Sequence, residues 1–196
     1  MSTVTVVRKQ GHAAIACDTL TKWGTGLEPA SYVANHDKII RVGDSLIAVT
    51  GAVTFRHALE DFFGASEAPT HLHSPLQIFR AWQQLHAALK EQYFLLPEED
   101  KDEGLESSRI DVLIANPAGI FGVSAHRTVQ EFSKFYAYGS GADYALGALY
   151  TTYDTPDRSA EELARLAVQA AAEFDDATGL PIISYTVPLA ADRSAF

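Results

Sequence analysis

The apolar pattern of this 196-residue chain switches back and forth between two periods. It opens with strand character. Val- and Thr-rich Thr3 to Lys9 turns at Gln10-Gly11 and returns over Ala13 to Asp18, which reads as a hairpin. Residues 19–34 contain glycines and a proline and read as a long loop. Lys38 to Val42 and Ser45 to Thr50 form a second hairpin around Gly43-Asp44. After Gly51 the spacing becomes helical: Phe55, Ala58, Leu59, Phe62 and Phe63 share one face. Ser74-Pro75 marks a second helix start, carried on by Leu76, Phe79, Trp82, Leu89 and Tyr93. Strands resume at Asp111 to Ala115 and Ile120 to Val123, joined by Asn116-Pro117-Ala118-Gly119, and a third spans Gln130 to Tyr138. Gly139-Ser140-Gly141 breaks the pattern, and Ala142 to Tyr150 reads as helix. Ser159 with Glu162 fits a capping box ahead of Leu163, Leu166, Ala167, Ala170 and Phe174. Leu180 to Val187 is a closing strand. Two sheets with helix pairs on their outer faces bury these stripes: an α+β fold, a four-layer αββα sandwich. Periodicity alone leaves other α+β arrangements open.

Composition narrows the function. The length and 47% hydrophobic content suit one domain spanning 1–196 with a sizeable core. The net charge of −10 argues against nucleic-acid binding, which needs clustered Lys and Arg. Six carboxylates against one lysine in Glu98 to Glu106 read either as a solvated loop or as a loop that filters what approaches a nearby cavity. No apolar run is long enough to span a membrane, and no signal-peptide pattern opens the chain. With one cysteine, the chain forms no internal disulfide and is expected in the reducing cytoplasm. Cys17 sits in an apolar strand and reads as core. His71 and His73 lack a third ligand at a recognisable spacing, so no metal is expected. Gly139-Ser140-Gly141 lacks the lysine of a phosphate loop. No cofactor is expected.

Ser2 is either an unprocessed second residue or a candidate for chemistry. Its small side chain suits removal of Met1 by methionine aminopeptidase. The exposed serine then holds a hydroxyl nucleophile and an α-amine base on one residue.

The chain resembles the proteasome β-subunit family of N-terminal nucleophile hydrolases, nearest its HslV branch and the betaproteobacterial proteasome homologue. The resemblance rests on Ser2-Thr3-Val4 through Gly11-His12 to Asp18, on Asn35-His36-Asp37-Lys38-Ile39-Ile40, on Val49-Thr50-Gly51, on Tyr138-Gly139-Ser140-Gly141 and on Asp175-Asp176-Ala177-Thr178-Gly179. It implies the four-layer fold of that hydrolase class. It also implies catalytic roles: Ser2 as nucleophile, Asp18 and Lys38 as its charged partners, and Gly51 as oxyanion donor. Ser140, Asp175 and Thr178 would surround the amine, with Val49 and Val53 in the pocket for the substrate side chain. Read without the family, Asp18 and Lys38 could be a surface pair, and Ser140 a helix cap. The family further implies a self-compartmentalising endopeptidase acting on polypeptides. It would form a homo-oligomeric double ring of six or seven subunits per ring, with an ATP-dependent unfoldase as the kind of partner the HslV branch uses.

Two departures stand out. The family's usual nucleophile is threonine, and serine lacks the methyl that restricts χ1. The Asp18–Lys38 separation is also longer than in HslV, with the extra residues falling in Trp23 to Tyr32. A small-molecule amidase and an inactive ring-forming protein are the rival readings of the same fold.

Overall fold

The computed structural model describes residues 2–96 and 104–190. Met1 and residues 98–103 of the acidic stretch lie outside the described residues. The chain opens with β1 (Thr3–Lys9), β2 (His12–Asp18), β3 (Thr21–Trp23), β4 (Gly26–Glu28), β5 (Ile39–Val42) and β6 (Ser45–Val49). Helices α1 (Val53–Gly64) and α2 (Pro75–Glu91) follow, then β7 (Val112–Asn116), β8 (Gly119–Val123), β9 (Val129–Phe132) and β10 (Phe135–Gly139). Helices α3 (Ala142–Thr152) and α4 (Ala160–Phe174) precede β11 (Ile182–Pro188).

Two antiparallel sheets result, ordered β10-β1-β2-β11 and β5-β6-β7-β8-β9. They face each other across Val4, Val6, Ile15 and Cys17 on one side and Leu46, Ala48, Leu113 and Ile120 on the other. Helices α1 and α2 cover the five-stranded sheet, and α3 and α4 cover the four-stranded one. This is the expected αββα sandwich, and Cys17 is buried in it.

Strand β1 is buried on both faces, and its alternation assigns the faces. Val4 and Val6 enter the layer between the sheets. Thr5 and Val7 turn to the helices: Val7 packs beside Ala164 and Ala167, and the Thr5 hydroxyl donates to the Ala164 carbonyl at 3.1 Å. Carrying the alternation back sets Ser2 and Thr3 on opposite faces.

Several expectations are corrected. The loop over 19–34 contains the short β3–β4 hairpin. The strand expected over 130–138 is two strands, β9 and β10, which edge different sheets. Only Ser133 and Lys134 separate Phe132 from Phe135, so no Gly, Pro or Asn marks that crossing. Leu76, Phe79 and Phe174 are exposed. The buried stripe of α2 runs instead through Ile78, Ala81, Trp82, Leu85 and Leu89, a better match to the 3.6 period.

The expected helix starts are present. The Ser74 hydroxyl accepts from the Gln77 N–H with Pro75 at the first turn, and Ser159 and Glu162 complete the capping box. Glu106, the described end of the acidic stretch, is tied to Lys90 at 2.7 Å and to His86 at 3.1 Å.

Candidate active site

The end of β2, the start of β1 and the residue before β5 converge on one buried ion pair. Lys38 Nζ lies 2.9 Å and 3.0 Å from the two carboxylate oxygens of Asp18. It also donates to Ser2 Oγ at 2.9 Å and to the Leu20 carbonyl at 2.5 Å. Asp18 is fully buried and accepts three backbone N–H groups: Thr3 at 3.1 Å, Leu20 at 3.0 Å and Gly179 at 3.2 Å. Burial raises the Asp18 carboxyl above its ordinary value, while Lys38 and the N–H donors oppose that shift. A buried charge of this kind persists only when paired and hydrogen-bonded. The pair sets a cation against the Ser2 hydroxyl, where it favours the alkoxide.

The second half of the site comes from two loops. Between β10 and α3, the Ser140 N–H donates to the Ser2 carbonyl at 3.1 Å and the Gly141 N–H to Thr3 Oγ1 at 3.1 Å. Between α4 and β11, Asp175 Oδ2 accepts the Ser140 hydroxyl at 2.7 Å and the Thr178 hydroxyl at 2.5 Å. Thr178 Oγ1 is also 2.6 Å from Thr3 Oγ1. Gly139 makes the close approach feasible. Its φ is +107°, and a Cβ there would lie 1.7 Å from the Ser2 carbonyl oxygen.

A cavity of about 640 Å³ opens beside Ser2. Lys38, Gly51, Val49 and Val53 line it, with Leu20 and Trp23 on the side of the β3–β4 hairpin. Gly51 has φ +103°, and its N–H joins none of the backbone hydrogen bonds among the described residues. The preceding Thr50 is fixed to the Asp111 carbonyl through both its N–H (2.9 Å) and its hydroxyl (3.1 Å). The charged groups at the rim are engaged. Lys22 pairs with Asp176, and Arg56 donates to the Asn35 and Asp37 carbonyls at 2.6 Å each.

The nine residues singled out from the sequence thus fall in three adjoining groups. Ser2, Asp18 and Lys38 are in direct contact. Ser140, Asp175 and Thr178 form one hydroxyl–carboxylate cluster. Gly51, Val49 and Val53 share the cavity with Ser2. Sequence reasoning missed Thr3, the Leu20 carbonyl, the Gly179 N–H and Arg56. Leu20 and Gly179 act through backbone groups, which leave no side-chain signature. Thr3 was hidden as an ordinary strand residue. Among the described residues no group of three or more His, Cys, Asp or Glu could hold a metal ion. No helix there is long and apolar enough to cross a membrane.

No protein-family model and no curated protein matches the chain. Solved structures do. Thiobacillus denitrificans BPH in complex with epoxomicin is 60% identical with a TM-score of 0.90, over 96% of this chain and 100% of that chain. A further structure of Thiobacillus denitrificans BPH is 61% identical with a TM-score of 0.91, over 97% and 100%. BPH is a betaproteobacterial proteasome homologue. The chain belongs to the proteasome β-subunit family. Trypanosoma brucei HslV shares the family fold at 19% identity and a TM-score of 0.68, over 95% of this chain and 99% of that one.

Proposed function

We propose that this proteasome-family chain is a single-domain endopeptidase that hydrolyses polypeptides through an acyl-enzyme on Ser2. The observation that carries the reading is the Lys38 ammonium shared between Ser2 Oγ at 2.9 Å and the buried Asp18 carboxylate at 2.9 Å. A serine hydroxyl needs help at neutral pH, and a cation held against its oxygen favours deprotonation.

With Met1 removed, the Ser2 α-amine takes the hydroxyl proton as Oγ bonds to the scissile carbonyl carbon. The carbonyl electron pair moves onto oxygen, where the Gly51 N–H stabilises the oxyanion. Collapse breaks the C–N bond, and the ammonium returns its proton to the leaving amine. Water, deprotonated by the same amine, then attacks the ester carbon; the ester C–O bond breaks and the ammonium returns its proton to Ser2 Oγ as the acid product leaves. Ser140, Asp175 and Thr178 orient the amine. Val49 and Val53 receive an apolar substrate side chain, with the neighbouring Leu20 and Trp23 extending that wall. The chemistry uses no cofactor.

By family kinship the active enzyme is a homo-oligomeric double ring of six or seven subunits per ring, with its sites facing an inner chamber. It works in the cytoplasm, and by the same kinship an ATP-dependent unfoldase is the kind of partner to look for. That the relative Thiobacillus denitrificans BPH forms a complex with epoxomicin supports reading this chain as a hydrolase of the same kind.

The test is hydrolysis of peptide and small-amide substrates by the full-length protein and by Ser2→Ala. Peptide turnover that disappears in Ser2→Ala, with small amides left intact, is expected. Undiminished turnover in Ser2→Ala overturns the reading. Preferential cleavage of small amides would make the protein an amidase.

A further inference from the structure

We infer that Thr3 is a positioning residue for the Ser2 nucleophile, its hydroxyl forming the fixed link between the nucleophile-bearing strand and the Asp175 carboxylate; this rests on the proposed Ser2 chemistry. The direction of each hydrogen bond can be worked out. A carboxylate only accepts, so the Thr178 hydroxyl donates its one proton to Asp175 Oδ2 at 2.5 Å. Thr178 then has no proton left for Thr3. The 2.6 Å contact between the two threonines therefore runs from Thr3 to Thr178. Thr3 Oγ1 in turn accepts the Gly141 N–H at 3.1 Å. The chain Gly141 to Thr3 to Thr178 to Asp175 is unidirectional, and bonds in series polarise one another.

Thr3 also grips the reacting residue through the main chain. The peptide unit joining Ser2 to Thr3 is held at both ends: the Ser2 carbonyl by the Ser140 N–H at 3.1 Å, and the Thr3 N–H by Asp18 at 3.1 Å. Two anchors leave a rotation about the line between them. The Thr3 hydroxyl supplies a third, on the opposite side of the strand from Val4. Serine lacks threonine's methyl at the nucleophile position, so this external restraint carries more of the positioning.

The fold contains its own control. Thr5 is the same residue type on the same face, equally buried, but its hydroxyl ends on the Ala164 carbonyl at 3.1 Å. It has no connection to a carboxylate of the site.

The experiment measures kcat, KM, the pH–rate profile and thermal stability for Thr3→Val, Thr3→Ser and Thr5→Val, beside wild type and Ser2→Ala. Valine keeps the shape and β-branching but leaves the Gly141 N–H and Thr178 Oγ1 without their partner. Thr3→Val is expected to lose about tenfold in kcat at unchanged KM. Its pH–rate profile should depart from that of wild type, because the hydrogen-bond chain from Gly141 to Asp175 is broken at Thr3. Thr3→Ser restores kcat and the profile, and Thr5→Val keeps both. A wild-type kcat and profile in Thr3→Val overturns the inference. So does a Thr3→Ser variant as slow as Thr3→Val, or equal losses in Thr3→Val and Thr5→Val that follow stability. The underlying reading fails separately, if turnover survives Ser2→Ala.

Discussion

The two helical layers are built from different materials. Against the five-stranded sheet, α1 and α2 bury large side chains: Leu59, Phe63, Ile78, Trp82, Leu85 and Leu89. Against the four-stranded sheet, α3 and α4 present mostly alanine: Ala145, Ala160, Ala164, Ala167 and Ala171. Alanine lets helix and strand backbones approach closely, and the Ser140, Asp175 and Thr178 half of the site lies at the ends of that layer's helices. There, main-chain groups join the hydroxyl–carboxylate cluster in the holding. The N–H groups of Ser140, Gly141 and Gly179 reach Ser2, Thr3 and Asp18 directly. The other layer reaches the site through side chains at the cavity, Val53 and Arg56. The comparison teaches that the alanine-rich side holds Ser2 and Thr3 through backbone N–H groups as well as side chains, while α1 of the other layer contributes side chains to the cavity wall.

Three substitutions can break or sharpen that contrast. Gly139→Ala has the largest expected effect. Its Cβ would fall 1.7 Å from the Ser2 carbonyl oxygen at a backbone φ of +107°. The β1–β10 pairing must shift, at about 2–4 kcal/mol of stability by denaturant unfolding, and peptide turnover should be lost. Wild-type turnover in this variant would show that the β10–α3 loop does not position Ser2. Next comes Ala167→Leu, which overfills the fully buried alanine layer. Its expected cost is about 1–3 kcal/mol, with turnover falling as α4 is pushed from β1. Smallest is Leu85→Met in the large-residue layer, which conserves volume in a buried position. It should cost less than about 1.5 kcal/mol and leave turnover unchanged. Equal responses of Ala167→Leu and Leu85→Met would erase the proposed difference between the layers.

Much of this was legible in the sequence because it is periodic. The order of strands and helices followed from their spacing, the four-layer choice among α+β arrangements from the family resemblance, and both helix caps from Ser74-Pro75 and Ser159 with Glu162. What escaped lacked local signal. The β9–β10 crossing turns at Ser133-Lys134, residues that do not mark a turn. The β3–β4 hairpin is only three residues a side, too short to show alternation. At Leu76, Phe79 and Phe174, apolar character was read as burial, although folded surfaces retain large apolar residues. For the candidate site, the family resemblance supplied the residue types. It could not supply the backbone donors or the direction of the Thr3–Thr178 bond, because those depend on which loops meet in space.

The central claim is that Ser2 is the nucleophile with its own amine as base. The most direct measurement is the intact mass of wild type and Ser2→Ala before and after treatment with an epoxyketone such as epoxomicin. An epoxyketone closes its ring on the hydroxyl and free amine of one residue. The account predicts a wild-type chain lacking Met1 that gains one inhibitor per subunit, and a Ser2→Ala chain that gains none. A chain that retains Met1, or an adduct that forms on Ser2→Ala, would contradict it.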